Sequence, residues 1–377
     1  MTRLNSRAYK WQSIAAAIIA FGLLISMCYV FQSNARVIPS SERPFRYPEG
    51  FHIPSSCTIF TAALGDTVLF GNNEDYYLHG TYFWLAPSQE IVTPLGPREI
   101  YGCAFLLFDN NGDDFDGYPQ GGINVHGLCL DGNGLPEVPL NPNPEGEPIF
   151  GPFLAQILWE CRTVDEVITW LYLHNTWSTW AGQLHAADAA GEAVVVSVVD
   201  QEFVFTRKGT ADFIVSTNFN VADPSNAYEY PCWRYQTATD MLEDITQEAD
   251  LTVEAFRDIL DAVHQTGTYG TKWSNIFNPV TQAMYIYQLS NFEEVVTLDL
   301  HTELAQVVPG AAGVSNVDDL HGALTKVTSI AELFELPSEN SENPNDVMLL
   351  GGLVVGVVAT SVIVTVSVLF LRKRRAR

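Results

Sequence analysis

Two short runs rich in Ile, Phe, Thr and Val, Thr58 to Leu64 and Thr67 to Phe70, are separated by only Gly65 and Asp66. A two-residue Gly-Asp connection between β-prone runs suits a tight turn, so the pair can close only as an antiparallel hairpin. Pairing returns the end of the second run, Asn72-Asn73-Glu74-Asp75, to the start of the first, where Cys57 stands. A local fold therefore brings a thiol beside four polar side chains. If the Ser56-Cys57 bond is cut, α-amine and thiol lie on one residue, and a single amino acid supplies both base and nucleophile. Taken by itself, an isolated cysteine on a strand reads as a structural thiol.

The 377 residues include 44 Asp and Glu against 19 Lys and Arg. All 44 acidic residues lie between about residues 40 and 346, with ten of the basic ones, and the other nine basic residues sit at the two ends. So acidic a body argues against nucleic acid as a partner, since phosphate neutralisation by Lys and Arg dominates that affinity. The ends read as membrane signals. Ile14 to Phe31 is uncharged and follows Arg3, Arg7 and Lys10, and Met348 to Leu371 precedes Arg372, Lys373, Arg374, Arg375 and Arg377. Each reaches the length needed to cross a bilayer as a helix, and the positive flanks place both ends in the cytoplasm and the acidic body outside. Ser33-Asn34-Ala35 offers a signal-peptidase site, so the first segment reads as a cleavable signal and the second as the lasting anchor.

The expected organisation is a signal peptide or anchor over 1–35, a propeptide or linker over 36–56, and one catalytic body over 57–335. A polar, Pro-interrupted stalk over 336–347, a transmembrane helix over 348–371 and a basic cytoplasmic tail over 372–377 complete the chain. Within the body, strands are expected over Ala104 to Phe108, Ala193 to Val199, Phe203 to Thr206, Phe213 to Ser216 and Ala283 to Leu289. Helices are expected over Phe153 to Glu160, Val164 to Leu173, Tyr235 to Asp244 and Val253 to Gln265. Both come in pairs, which favours an α+β arrangement of antiparallel sheets covered by helices. Cys103, Cys129, Cys161 and Cys232 leave two readings open, two disulfides or buried free thiols.

Several short strings occur in a telling order. Cys57-Thr58 and its hairpin lead to Gly71-Asn72-Asn73-Glu74-Asp75. Gly121-Gly122-Ile123-Asn124-Val125-His126-Gly127-Leu128 comes next, then Leu184 to Glu192, Val215-Ser216-Thr217-Asn218-Phe219 and Cys232-Trp233-Arg234-Tyr235. Together they resemble the cysteine N-terminal nucleophile (Ntn) hydrolases of the choloylglycine hydrolase, penicillin V acylase and acyl-coenzyme A:6-aminopenicillanic acid acyltransferase group. The resemblance spans about residues 57 to 305. It implies a four-layer αββα sandwich and attack by the Cys57 thiolate on a linear amide, with the freed α-amine as base and water releasing the acyl group. It also implies that Asp75 holds the α-amine, that Asn218 and Asn133 stabilise the oxyanion, and that Arg234 steadies the nucleophile or its carboxylate partner. Where many relatives carry arginine, this chain has Asn72, expected beside the substrate, so no fixed positive charge lowers the thiol pKa from that position.

Other readings of these residues remain. Asp75 and its neighbours could be turn formers, Arg234 a surface charge at a helix start, and Asn133 a Gly-flanked turn residue. Asp109 to Gly117 spaces oxygen ligands as calcium prefers, but Asp114 occupies the position where an EF-hand loop needs glycine, so a solvated acidic loop is expected. The histidines form no ligand cluster, and neither metal nor cofactor is expected. The aromatic residues from Trp170 to Trp180 read as core, or alternatively as an acyl pocket. The reading reached is a membrane-anchored extracellular hydrolase of an N-acyl amide, made by autoproteolytic exposure of Cys57. Acyl transfer to an amine and a non-catalytic ligand-binding ectodomain are the alternatives.

Overall fold

The computed structural model describes residues 57–77, 80–109, 118–226, 232–307 and 326–335. The apolar segments over 14–31 and 348–371, the linker over 36–56, the stalk over 336–347, the basic tail and residues 110–117 of the acidic loop lie outside them. Among the described residues no helix is long and apolar enough to cross a membrane.

The fold is mixed α and β, built on two large antiparallel sheets. Strands β1 (Thr58–Leu64), β2 (Thr67–Asp75), β14 (Phe213–Ser216), β15 (Thr271–Asn278), β16 (Ala283–Gln288) and β17 (Asn291–Asp299) form one, in the order β14-β1-β2-β15-β16-β17. The other contains β3 (Gly80–Ala86), β6 (Cys103–Asp109), β7 (Tyr118–Asn124), β8 (Cys129–Pro139), β11 (Thr179–Ala187), β12 (Ala193–Val199), β13 (Glu202–Arg207) and β18 (Lys326–Ser329). Its order is β13-β12-β11-β8-β7-β6-β3-β18. Two small ribbons, β4 (Gln89–Thr93) with β5 (Gly96–Ile100) and β9 (Glu147–Pro148) with β10 (His174–Asn175), lie apart from them.

Alternating side chains sort the sheets into layers. In the first sheet Phe60, Ala62, Leu69 and Ile276 pack with Leu242, Phe256, Ile259 and Leu260, which belong to helices Trp233–Glu243 and Val253–Val263. The opposite face of that sheet, with Ile59, Phe70, Phe277 and Ile286, packs on Phe83, Leu85, Leu106 and Ile123 of the second sheet. The outer face of the second sheet, with Trp84, Phe105, Leu130, Leu184 and Val196, is covered by Ile157, Leu158 and Val167 of helices Phe153–Glu160 and Val164–Leu173. The helix starts are set locally: Thr163 accepts from Glu166 N and Thr252 from Ala255 N, each satisfying an N–H that the helix leaves open.

All the expected strands and helices form, with the third helix starting at Trp233 and the fourth ending at Val263. Cys103, Cys129, Cys161 and Cys232 are buried free thiols. Trp170 and Trp180 belong to the outer core with Phe153, so they are packing residues on the side of the second sheet facing away from Cys57.

Candidate active site

The hairpin closes as expected, with Thr58 opposite Asn73 and Ile59 opposite Asn72. Strand parity then divides the polar end of β2. Asn72 and Glu74 face the gap between the sheets, as Cys57 does, whereas Asn73 and Asp75 face the helices. Asn73 Nδ2 accordingly donates to Leu260 O at 2.8 Å.

Three layers meet at the Cys57 carbonyl. It accepts from Asn133 Nδ2 of the second sheet at 3.1 Å and from Arg234 Nη1 of the helix layer at 2.9 Å. Arg234 Nη1 also donates to Thr58 Oγ1 at 3.0 Å, and Nη2 donates to Asn218 Oδ1 at 2.9 Å. Asn218 Nδ2 donates to Gly134 O at 2.9 Å, which ties the loop after β14 to β8. Asp75 Oδ2 lies 3.8 Å from Arg234 Nη1 and accepts from Gln265 Nε2 at 2.7 Å, while the Thr271 hydroxyl donates to Oδ1. Arg234 is only 3% exposed, so it is no surface charge. Nor is Asn133 a turn residue, because it sits within β8 opposite Gln183. Cys57, Asp75, Asn133, Asn218 and Arg234 are thus brought into one connected network.

Asn72 belongs to a second, acidic cluster on the other side of the thiol. Its Nδ2 donates to Asp131 Oδ2 at 2.8 Å and lies 3.5 Å from both Glu74 Oε2 and Asn275 Oδ1. The β1–β2 register, one step beyond the Thr58–Asn73 pair, sets Glu74 opposite Cys57. Gly121 makes room for this cluster, since a Cβ there would stand 2.2 Å from Asp131 Oδ2. Cys57, Asn72, Glu74, Asp131 and Asn275 are all fully buried. Asn72 Oδ1, Glu74 Oε1, Asn133 Oδ1 and Asn275 Nδ2 have no hydrogen-bond partner.

Burial and the neighbouring acids govern protonation here. Burial, then the charges of Glu74, Asp75 and Asp131, push the Cys57 thiol well above its usual range. Burial raises Glu74 to about 8 and Asp75 to about 6, and burial with the charge of Glu74 raises Asp131 well above the carboxylate range. In the uncleaved chain the thiol is therefore held in its protonated form.

Sequence reasoning brought Glu74 to the thiol within its string but gave it no role, and it missed Asp131. The signal for Glu74 was available in the two-residue period of β2, which puts positions 70, 72 and 74 on one face. Asp131 shares the face of Asn133 by the same rule, but only once Cys129–Pro139 is known to be a strand. Among the described residues no group of three or more His, Cys, Asp or Glu side chains is arranged to hold a metal ion.

No family model matches the chain, and no curated protein matches it. Solved structures do. A penicillin V acylase from Agrobacterium tumefaciens aligns with a TM-score of 0.52 at 16% identity, over 66% of this chain and 88% of that one. Two variants of a conjugated bile acid hydrolase from Clostridium perfringens align with the same score and identity, over 75% and 76% of this chain and 100% of theirs. The body of this chain has the fold of penicillin V acylase and conjugated bile acid hydrolase, as the ordered motifs led one to expect.

Proposed function

We propose that this chain is an Ntn hydrolase on an αββα sandwich, cleaving the C–N bond of a linear N-acyl amide through a Cys57 acyl-enzyme. The observation that carries the reading is the junction at Cys57, where Asn133, Arg234, Asn218 and Asp75 arrive from separate elements. A merely structural cysteine has no need of a buried arginine on its own carbonyl.

The reaction begins with processing. While Ser56 is attached, the Cys57 nitrogen is an uncharged peptide amide, and the charges of three nearby acids disfavour the buried thiolate. Cutting the Ser56-Cys57 bond creates an α-amine on the same residue. Asp75 holds that amine, and its positive charge when protonated counters the acids that disfavour the thiolate. The amine then takes the thiol proton, Sγ attacks the amide carbon, and Asn218 and Asn133 donate to the oxyanion. Loss of one such donor costs about 3 kcal/mol of barrier in comparable acyl-transfer sites. Arg234 fixes the Cys57 carbonyl and neutralises Asp75. Asn72 lies on the substrate side of the nucleophile.

The remaining parts follow the segment boundaries: 1–35 as signal or anchor, 36–56 as propeptide, 57–335 as catalytic domain, 336–347 as stalk, 348–371 as membrane helix and 372–377 as cytoplasmic tail. The catalytic domain is then extracellular, its substrate a small N-acyl amide. Amino-terminal sequencing of the active protein is expected to begin at Cys57. A panel of N-acylglycines and matching p-nitrophenyl esters, with acyl groups from acetyl to decanoyl and phenylacetyl, is expected to reveal turnover that Cys57→Ala abolishes. Turnover by a chain that still carries residues 36–56, or by Cys57→Ala, refutes the reading.

A further inference from the structure

The conventional parts of such a site do not account for Glu74. It is fully buried, the β1–β2 register sets it opposite Cys57, and its Oε1 has no hydrogen-bond partner. Its other oxygen is held by Asn72, which also fixes Asp131. An amide carbon bonded to Sγ would stand on the face of the hairpin that carries this free oxygen. We propose that Glu74 is the general acid that protonates the departing nitrogen, a role that rests on the amidohydrolase reading of the site.

The proton balance is complete. In acylation the thiol proton passes to the Cys57 α-amine, the S–C bond forms and the carbonyl becomes an oxyanion. As the oxyanion collapses, the C–N bond breaks and the nitrogen takes the Glu74 proton, leaving a carboxylate. In deacylation that carboxylate takes a proton from water as the hydroxide adds to the thioester. The C–S bond then breaks, and Sγ recovers its proton from the α-ammonium. Both groups end as they began.

Glu74 suits this task because burial keeps it protonated up to about pH 8. The titratable groups around it are Cys57, just before β1, Asp131 on β8, and its chain neighbours Asp75 and Tyr76. Asn72 and Asn275 complete its polar surroundings without adding charge. Asn72 thus has a use of its own where an arginine is absent: it positions the acid.

The test uses the processed full chain, one N-acylglycine and the p-nitrophenyl ester of the same acyl group. p-Nitrophenolate leaves without a proton, whereas the amide nitrogen cannot. Glu74→Gln keeps the shape of the side chain and removes the proton. It is expected to lower amide turnover about 100-fold or more while ester turnover stays within about tenfold, since general-acid assistance is worth about 10²–10⁴. Wild-type amide turnover is expected to decline as pH rises through about 8. The residual amide turnover of Glu74→Gln is expected to lack that decline. Equal slowing of ester and amide by Glu74→Gln, or a decline through about pH 8 that persists in Glu74→Gln, overturns the assignment while the amidohydrolase reading stands. A wild-type chain that cleaves neither substrate overturns both.

Discussion

Asp75 should destabilise the uncleaved chain at neutral and alkaline pH, and replacing it with Asn should show by how much. Burial outweighs the hydrogen bonds from Thr271 and Gln265 and the charge of Arg234, lifting its pKa from 3.8 to about 6. A raised carboxyl pKa means that folding favours the protonated acid. Its contribution is fully present below the unfolded pKa and is lost as pH rises through about 6. The shift of roughly two units corresponds to about 3 kcal/mol against folding at pH 8.5, of which about 1 kcal/mol remains at pH 4.5. Asp75→Asn removes the charge, but it turns an NH₂ group towards a donor and forfeits about one hydrogen bond, about 1 kcal/mol. The variant should therefore be about 2 kcal/mol more stable than its parent at pH 8.5 and about equal to it at pH 4.5. Urea unfolding followed by tryptophan fluorescence, in a Cys57→Ala background that stays uncleaved, measures both differences. A variant less stable than its parent at pH 8.5, or a gap that does not narrow in acid, would show that Arg234 and the hydrogen bonds already balance the buried charge. In the processed enzyme the same substitution should abolish most turnover, because the α-amine loses its partner.

Three further outcomes follow from the buried polar groups. His185 joins the sheets through Thr61 Oγ1 at 3.0 Å and Ser216 Oγ at 2.9 Å, and burial depresses its pKa to about 3. A depressed base pKa supports the fold above about pH 6.5 and fails it as pH falls, so thermal melts of His185→Leu should lose less stability between pH 7 and 5 than wild type, after an initial cost of about 1–3 kcal/mol at pH 8. Arg234→Met should cost about 3–5 kcal/mol, because Asp75 is left buried without its cation, and should leave the precursor uncut on a gel. Gly121→Ala, whose new methyl group would meet Asp131, should cost about 1–3 kcal/mol in urea unfolding, whereas Gly132→Ala, with only Gln183 O nearby at 3.9 Å, should stay near wild type.

What could be read in the sequence was mostly local. The β1–β2 hairpin is legible because a two-residue turn fixes its register, and that register alone places Cys57 opposite Glu74, with Asn72 on the same face. The helices over 164–173 and 253–263 announce themselves through their apolar spacing. Cys129–Pro139 does not, because Gly132, Asn133 and Gly134 are poor strand residues. They are held extended by β11, which pairs Leu184, Gln183 and Gly182 with them. Arg234 reads as a solvent-facing charge at a helix start until the Cys57 carbonyl, Thr58, Asn218 and Asp75 are seen waiting for it. Those partners lie from 16 to 177 positions away in the chain.

The Cys57 carbonyl is gripped by one donor from the second sheet and one from the helix layer, while its own strand belongs to the first sheet. Neither hairpin nor helix alone can assemble that grip. It exists only when all three parts have docked, so under the proposed function a half-folded chain would hold Cys57 unarmed, and the onset of reactivity would be tied to the end of folding.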